Sequence, residues 1–171
     1  LTATSVTIGN IVIDPTANDY GITPVGMQTG GVTYTVRNTG SAATGALAVA
    51  IAGSNPADFP VVSGGGGCSG TTLPGGGECT IAVRFAPVAS GARSATLRVN
   101  GTPGGVATAA LTGTGEVPAM FELRPTAADF GTVAAATMMP PGGESSPVNF
   151  TLRNVGEATS GAPTVTLRAA P

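Results

Sequence analysis

The chain has 171 residues, with 7 Lys+Arg against 9 Asp+Glu for a net charge of -2, and it contains 2 Cys, no His and no Trp. Its 27 Gly and 14 Pro amount to about a quarter of the residues, while 42% are hydrophobic and only 9% charged. These counts exclude a nucleic-acid binder, which needs a basic footprint, and a disordered polymer, which is not this apolar. They also leave catalysis without an imidazole and, because every cation is Arg, without a lysine amine.

So few charges force the surface to consist of Thr, Ser, Ala and Gly, and the weak repulsion between copies favours self-association or burial in an assembly. No apolar run approaches the roughly 18 residues of a membrane span, so direct membrane insertion is not expected. The first residues carry no initiating Met and no signal segment, and we expect the sequence to start mid-protein or after processing.

In chain order, short segments alternate apolar and polar residues with a period of two, the pattern of half-buried strands. Strands are expected at residues 8–13, then 32–37, where Val32, Tyr34 and Val36 alternate with Thr33, Thr35 and Arg37. Others follow at 46–52, with a weaker candidate at 58–62, then at 79–85, 94–99 and 106–112. Gly, Asn and Pro clusters separate them, and no helical period survives that punctuation. The reading is all-β: immunoglobulin-like antiparallel sandwiches of about seven strands per complete copy.

The word copy is used because the sequence repeats. Pro15-Thr16-Ala17-Asn18-Asp19-Tyr20-Gly21 returns as Pro125-Thr126-Ala127-Ala128-Asp129-Phe130-Gly131, about 110 residues on. Leu1-Thr2-Ala3-Thr4-Ser5 matches Leu111-Thr112-Gly113-Thr114-Gly115, and Thr35 to Gly40 matches Thr151 to Gly156 after an insertion at or near Met138 to Gly143, a stretch that reads as an exposed loop. The expected organisation is therefore the last strand of a preceding copy or a linker at 1–5, a complete copy at 6–115, and the N-terminal half of a second at 116–171. The junction Gly115-Glu116-Val117-Pro118 is short, which predicts a restricted angle between neighbours.

The succession Asp19-Tyr20-Gly21, Asn38-Thr39-Gly40, Ala57-Asp58-Phe59, Cys68-Ser69-Gly70, Gly77-Glu78-Cys79, Arg84-Phe85-Ala86-Pro87 and Leu111 to Gly115 resembles the bacterial choice-of-anchor D repeats. These are similar to Hydin-type and abnormal-spindle-like immunoglobulin domains, and more distantly to major sperm protein and pilus-chaperone sandwiches. The resemblance implies a scaffolding or binding sandwich, often in tandem in bacterial surface or secreted proteins, with no shared catalytic site. Fold transfers along such a resemblance more safely than function.

Cys68 and Cys79 bracket the turn Pro74 to Gly77, and we expect them to be joined by a disulfide, which implies an oxidising, extracytoplasmic setting; two reduced thiols in a cytosolic scaffold are the alternative. Two cysteines without histidine make no structural zinc site. Asn38-Thr39-Gly40 and Asn154-Val155-Gly156 read as turns with positive φ. Gly64 to Gly67 lacks the lysine of a phosphate loop and reads as a flexible tip. Asp14, Asp19, Glu116, Glu122 and Asp129 fit no calcium loop, so neither metal nor cofactor is expected. Arg37, Arg84, Arg98 and Arg153 are placed outward as edge charges.

Val148, Phe150 and Leu152, followed by Val165 and Leu167, form an apolar half-sheet that awaits a partner. Either polypeptide beyond Pro171 covers it or strands of another copy do, by β-augmentation. The leading functional reading is a non-catalytic structural and interaction segment of a bacterial surface, stalk or fibre-forming protein, with other copies or neighbouring repeats as partners. A glycan- or peptide-binding module of a secreted protein is the alternative. An enzyme would need a nucleophile and a base, and no such arrangement is found.

Overall fold

The computed structural model describes residues 8–62, 67–131 and 146–168. The expected strand at 1–5, the tip at 64–66 and the Met138 to Gly143 loop lie outside the described residues. The chain divides into two compact units, Leu1–Val117 and Pro118–Pro171.

Unit 1 is a two-layer sandwich. One layer contains β1 (Ile11–Asp14), β3 (Val32–Asn38) and β5 (Glu78–Val83) in the order β1-β3-β5. The other contains β2 (Ala17–Pro24), β4 (Ala48–Ala52), β6 (Gly91–Gly101) and β7 (Gly105–Glu116) in the order β2-β7-β6-β4. Alternation decides which side chains enter the core. Tyr34 and Val36 point inward from β3, Ala95, Leu97 and Val99 from β6, and Ala107, Ala109 and Leu111 from β7, and all are buried. Loop residues Leu47, Phe59, Leu73 and Phe85 close the ends of the layer. Each fully buried Leu or Phe side chain contributes about 1.5–3 kcal/mol.

Two expectations about the strands of unit 1 need correction. Residues 17–24 form a strand although their sequence lacks period-two alternation, and this strand pairs with β7 in parallel, so the sandwich is not antiparallel throughout. The chain leaves β1 at Asp14, crosses to the other layer and continues as β2 without first reversing into a hairpin. That crossing needs long-range partners, which local patterning does not reveal. Residues 58–62 form no strand: Pro56–Asp58 is a 3-10 turn, and only Val61 makes an isolated bridge, to Val83.

The turn delivers two buried residues. Phe59 stacks on Phe85 with ring centroids 5.0 Å apart, and Tyr20 adds its ring at 5.8 Å from Phe59. A Cβ at Gly113 would fall 2.7 Å from the Phe85 ring, so β7 accepts this cluster because position 113 has no side chain. Asp58, 1% exposed, receives the Arg93 Nε–H at 2.5 Å. Arg84, expected to point outward, is half-buried, and its Nε is shut off from solvent without a hydrogen-bond partner among the described residues. It follows directly on β5, where the chain bends to Phe85 and the backbone N–H of Arg84 donates to Pro60 O. Arg37, Arg98 and Arg153 are exposed.

Unit 2 contains β8 (Phe121–Arg124) paired antiparallel with β9 (Thr151–Asn154). No other strand is assigned among its described residues. Val148 and Phe150 precede β9 outside the ladder, and Val165 and Leu167 lie in a segment without regular structure. The expected half-sheet is thus narrower at its C-terminal side.

Candidate functional site

The candidate site is a surface, and it is built on one local device. At the end of β3 the Asn38 side chain is fully buried. Its Oδ1 accepts from the backbone N–H of Asn10 (2.9 Å) and of Gly40 (3.0 Å). Its Nδ2 lies 2.7 Å from Ala42 O, 3.0 Å from Leu73 O and 3.1 Å from Pro74 O. One amide side chain thereby satisfies the backbone of the β1 entry and of two loops. The glycine two residues on is required for space: a Cβ there would stand 2.1 Å from Ile8 O. The positive φ expected of this turn is absent at Asn38, Thr39 and Gly40 alike. Asparagine is chosen for its two-sided amide, and glycine for close backbone approach.

Unit 2 repeats the device. Asn154 Oδ1 accepts from Met120 N–H (3.1 Å) and Gly156 N–H (3.0 Å), and its Nδ2 donates to Ala158 O (2.8 Å). A Cβ at Gly156 would meet Pro118 O at 2.0 Å. The strand registers agree as well: Ile11 pairs with Asn38 and Ile13 with Val36, while Phe121 pairs with Asn154 and Leu123 with Leu152. Asp19 Oδ1 caps Gly21 N–H at 3.0 Å, as Asp129 Oδ1 caps Gly131 N–H at 2.8 Å.

The two units differ in what lies over the paired strands. Ile11, Ile13, Tyr34 and Val36 are at most 6% exposed, whereas their counterparts Phe121, Leu123, Phe150 and Leu152 are between 39% and 47% exposed. Phe121, Leu123 and Leu152 lie on the two paired strands and Phe150 immediately precedes β9, so four large apolar side chains are exposed here. Sequence reasoning found Phe150 and Leu152 but missed Phe121 and Leu123, although the alternation Phe121-Glu122-Leu123-Arg124 carried the signal. Val148 is half-buried, and Val165 and Leu167 are exposed.

The remaining candidate residues have structural employment. Cys68 and Cys79 form a disulfide with Cα atoms 5.3 Å apart, tying the buried Cys68 to the start of β5. Gly115 and Glu116 are the last residues of β7, opposite Thr23 and Pro24 of β2, Val117 ends unit 1 and Pro118 opens unit 2. Burial pushes the Tyr20 phenol well above its ordinary range, helped by its hydrogen bond with Tyr34, and burial also raises Tyr34. Tyr20 donates its O–H to Val83 O at 2.9 Å, so the two phenols act as neutral core groups. Glu122 pairs with Arg124, and among the described residues no three His, Cys, Asp or Glu come together as metal ligands. A cleft of about 410 Å³ at Val25, Met27 and Val88 carries no ionisable group.

No protein-family model matches the chain, and no curated protein matches it in sequence. Among solved structures it is similar to the ASH/PapD-like domain 7 of human CEP192, at 14% identity and a TM-score of 0.44 over 69% of this chain and 92% of that one. It is also similar to the VesB protease of Vibrio cholerae, at 25% identity and a TM-score of 0.46 over 61% of this chain and 32% of that one. WR4, a member of the MSP family of C. elegans, matches at 11% identity and a TM-score of 0.38 over 65% of this chain and 99% of that one. The all-β sandwich assignment rests on the strand pairing itself.

Proposed function

We propose that this chain is a non-catalytic structural and interaction segment of a tandem-repeat protein on or outside the bacterial cell surface, of the choice-of-anchor D type. The observation that carries the reading is the recurrence of the asparagine device and strand register in unit 2, with the equivalent apolar face left open. Unit 2 is then the opening of a second sandwich, and its face is taken by strands of the kind that β6 and β7 provide in unit 1. Those strands come from the same parent polypeptide or from a neighbouring copy, and either arrangement links modules into a stalk or fibre. The disulfide supports an oxidising compartment. No described helix is long and apolar enough to cross a membrane. For a glycan-binding role, Tyr34, Phe59 and Phe85 are fully buried and Tyr20 packs among them, which leaves Phe121, Phe130 and Phe150 exposed, and Phe121 and Phe150 belong to the face assigned here to further strands.

Grafting tests this reading. Residues 39–116 appended directly after Asn154 should complete the second sandwich, giving a second cooperative melting unit and loss of binding of an apolar dye. A chimera in which the appended residues stay unfolded and the dye still binds would defeat the repeat reading.

A further inference from the structure

Four strand edges bound the two layers of unit 1, and three are obstructed. β1 has four residues, ends in Asp14, and commits the N–H of Ile11 to Gly104 O at 2.9 Å. β2 carries Asp19 and Pro24, and its register is broken between Asp19 and Ile22. β5 is lined by the segment before it, where Val62 N–H donates to Ala82 O at 2.8 Å and Arg84 N–H donates to Pro60 O at 3.2 Å. The edge strand β4, Ala48-Val49-Ala50-Ile51-Ala52, has no charge, no proline and no register shift. It lacks the features by which proteins ordinarily protect a sheet edge.

Which backbone groups face outward from β4 follows from its neighbours. Leu47 donates its N–H to Thr71 O and accepts from Gly70 N–H, both on the side away from β6. Backbone groups alternate along a strand, so those of Ala48, Ala50 and Ala52 face β6 and those of Val49 and Ile51 face out. Among the described residues these outward N–H and C=O groups have no hydrogen-bond partner.

We infer that β4 pairs antiparallel with β4 of a second copy about a two-fold axis at Ala50, joining two four-stranded layers into one continuous sheet. The sequence fits its own reverse. Val49 stands opposite Ile51 of the second copy and Ile51 opposite Val49, and these pairs exchange all of the outward donors and acceptors. Ala50 faces Ala50 at the non-hydrogen-bonded position, where Cα atoms approach to about 4.5 Å and small side chains fit best. Val49 and Ile51, half-buried against the core, meet their counterparts on the inner face, beside a small opening lined by Val49, Val61, Ser69 and Ile81.

The match also stops in the right place. Beyond Ala52 the partner strand would run beside Leu47, where Gly70 and Thr71 already occupy the edge. Gly53, at φ +115°, turns the chain away there, and Asn55 N–H is handed to Ser94 O of β6 at 2.9 Å. The nearest charges are the two Arg98 side chains, each one strand back from the axis beside its own Ala50. The pairing involves unit 1 alone and stands or falls independently of the repeat reading.

A short edge of this kind gives a weak dimer, with a dissociation constant on the order of tens of micromolar. Sedimentation equilibrium of the full chain should show a monomer–dimer equilibrium in that range. Ala50→Arg sets two guanidinium groups against each other at the axis, each also beside Arg98 of its own β6, and, with the monomer's circular dichroism unchanged, should weaken the dimer at least about fivefold. Ala50→Cys should form a disulfide-linked dimer on mild oxidation, because the paired Cα atoms fall within disulfide reach, whereas Val12→Cys on the β1 edge should not. The inference is overturned by a chain that stays monomeric about tenfold above that range, by a dimer that persists unchanged in Ala50→Arg, which places the contact elsewhere, or by cross-linking no faster at position 50 than at position 12.

Discussion

Units 1 and 2 share a starting frame and differ in its completion. Both lay an N-terminal strand against a second strand in the same register, and both lock the pair with an asparagine and a glycine two residues later. In unit 1 the resulting face lies under β6 and β7 and is buried, while in unit 2 the corresponding face is open among the described residues. Local hydrogen bonding sets the frame, but stability requires the opposing layer. An isolated two-stranded sheet is marginal in water, and one methylene group moved from water into a core is worth about 0.8 kcal/mol.

The sharpest way to break this comparison is to remove the shared asparagine from each unit. Asn38→Ala strands two backbone N–H groups and up to three carbonyls in the interior. At about 1–3 kcal/mol for each group left unsatisfied, it should cost unit 1 about 3 kcal/mol or more in urea unfolding. Asn154→Ala should change the same transition by less than about 0.5 kcal/mol. Equal effects would mean that the two devices carry equal loads and that the contrast is false.

Replacing Cys68 and Cys79 together by Ser should lower unit 1 stability by about 3 kcal/mol, the loop-closure value for their separation of 11 residues. A smaller loss would place the constraint in the hydrogen bonds around Leu73 and Thr44. The paired positions Val36 and Leu152 provide a finer test. Val36→Ala removes two buried methylene equivalents and should cost about 1.6 kcal/mol, whereas Leu152→Ala should cost less than about 0.5 kcal/mol until a covering layer is supplied.

The smallest effect near neutral pH is electrostatic. Both tyrosines belong to unit 1 and have folded-state pKa values raised above the ordinary value of 10.0. Below that value both folded and unfolded chains keep their phenol protons, and the stability from these groups is fully present. Above it the unfolded chain releases protons that the folded chain retains, so stability falls as pH rises, by at most about 2.7 kcal/mol per pH unit for two groups. Phenolate absorbance should therefore appear together with unfolding, and a titration that precedes unfolding would contradict the buried pair.

Much of unit 1 was legible in its alternation. β3, β5, β6 and β7 lie where apolar residues recur every second position, because a half-buried strand imposes that period. β2 was illegible since its partner, β7, lies some ninety residues away and its own sequence contains Asp19, Gly21 and Pro24. The asparagine motif was visible, its repetition was found, and its turn role holds in the bonds from Gly40 N–H and Gly156 N–H to the asparagine two residues before, but its further bonds to the β1 entry and to a distant loop were not foreseen. Ala42 O is close in sequence, but Leu73 O and Pro74 O belong to a loop some thirty-five residues away, which spacing alone does not reveal. The open face was legible only in part: the strand residues before the insertion were overlooked, and Val165 and Leu167 were given a strand that the structure does not assign.

Hydrogen exchange of the intact chain, read by mass spectrometry on peptides covering each strand, tests the central claim most directly. The account predicts strong protection of residues 32–38, 91–101 and 105–116, set by global unfolding of unit 1, and near-unprotected exchange of residues 121–124 and 151–154. Protection of the unit 2 strands equal to that of β3 would contradict it, because the shared frame would then be stable without a second layer.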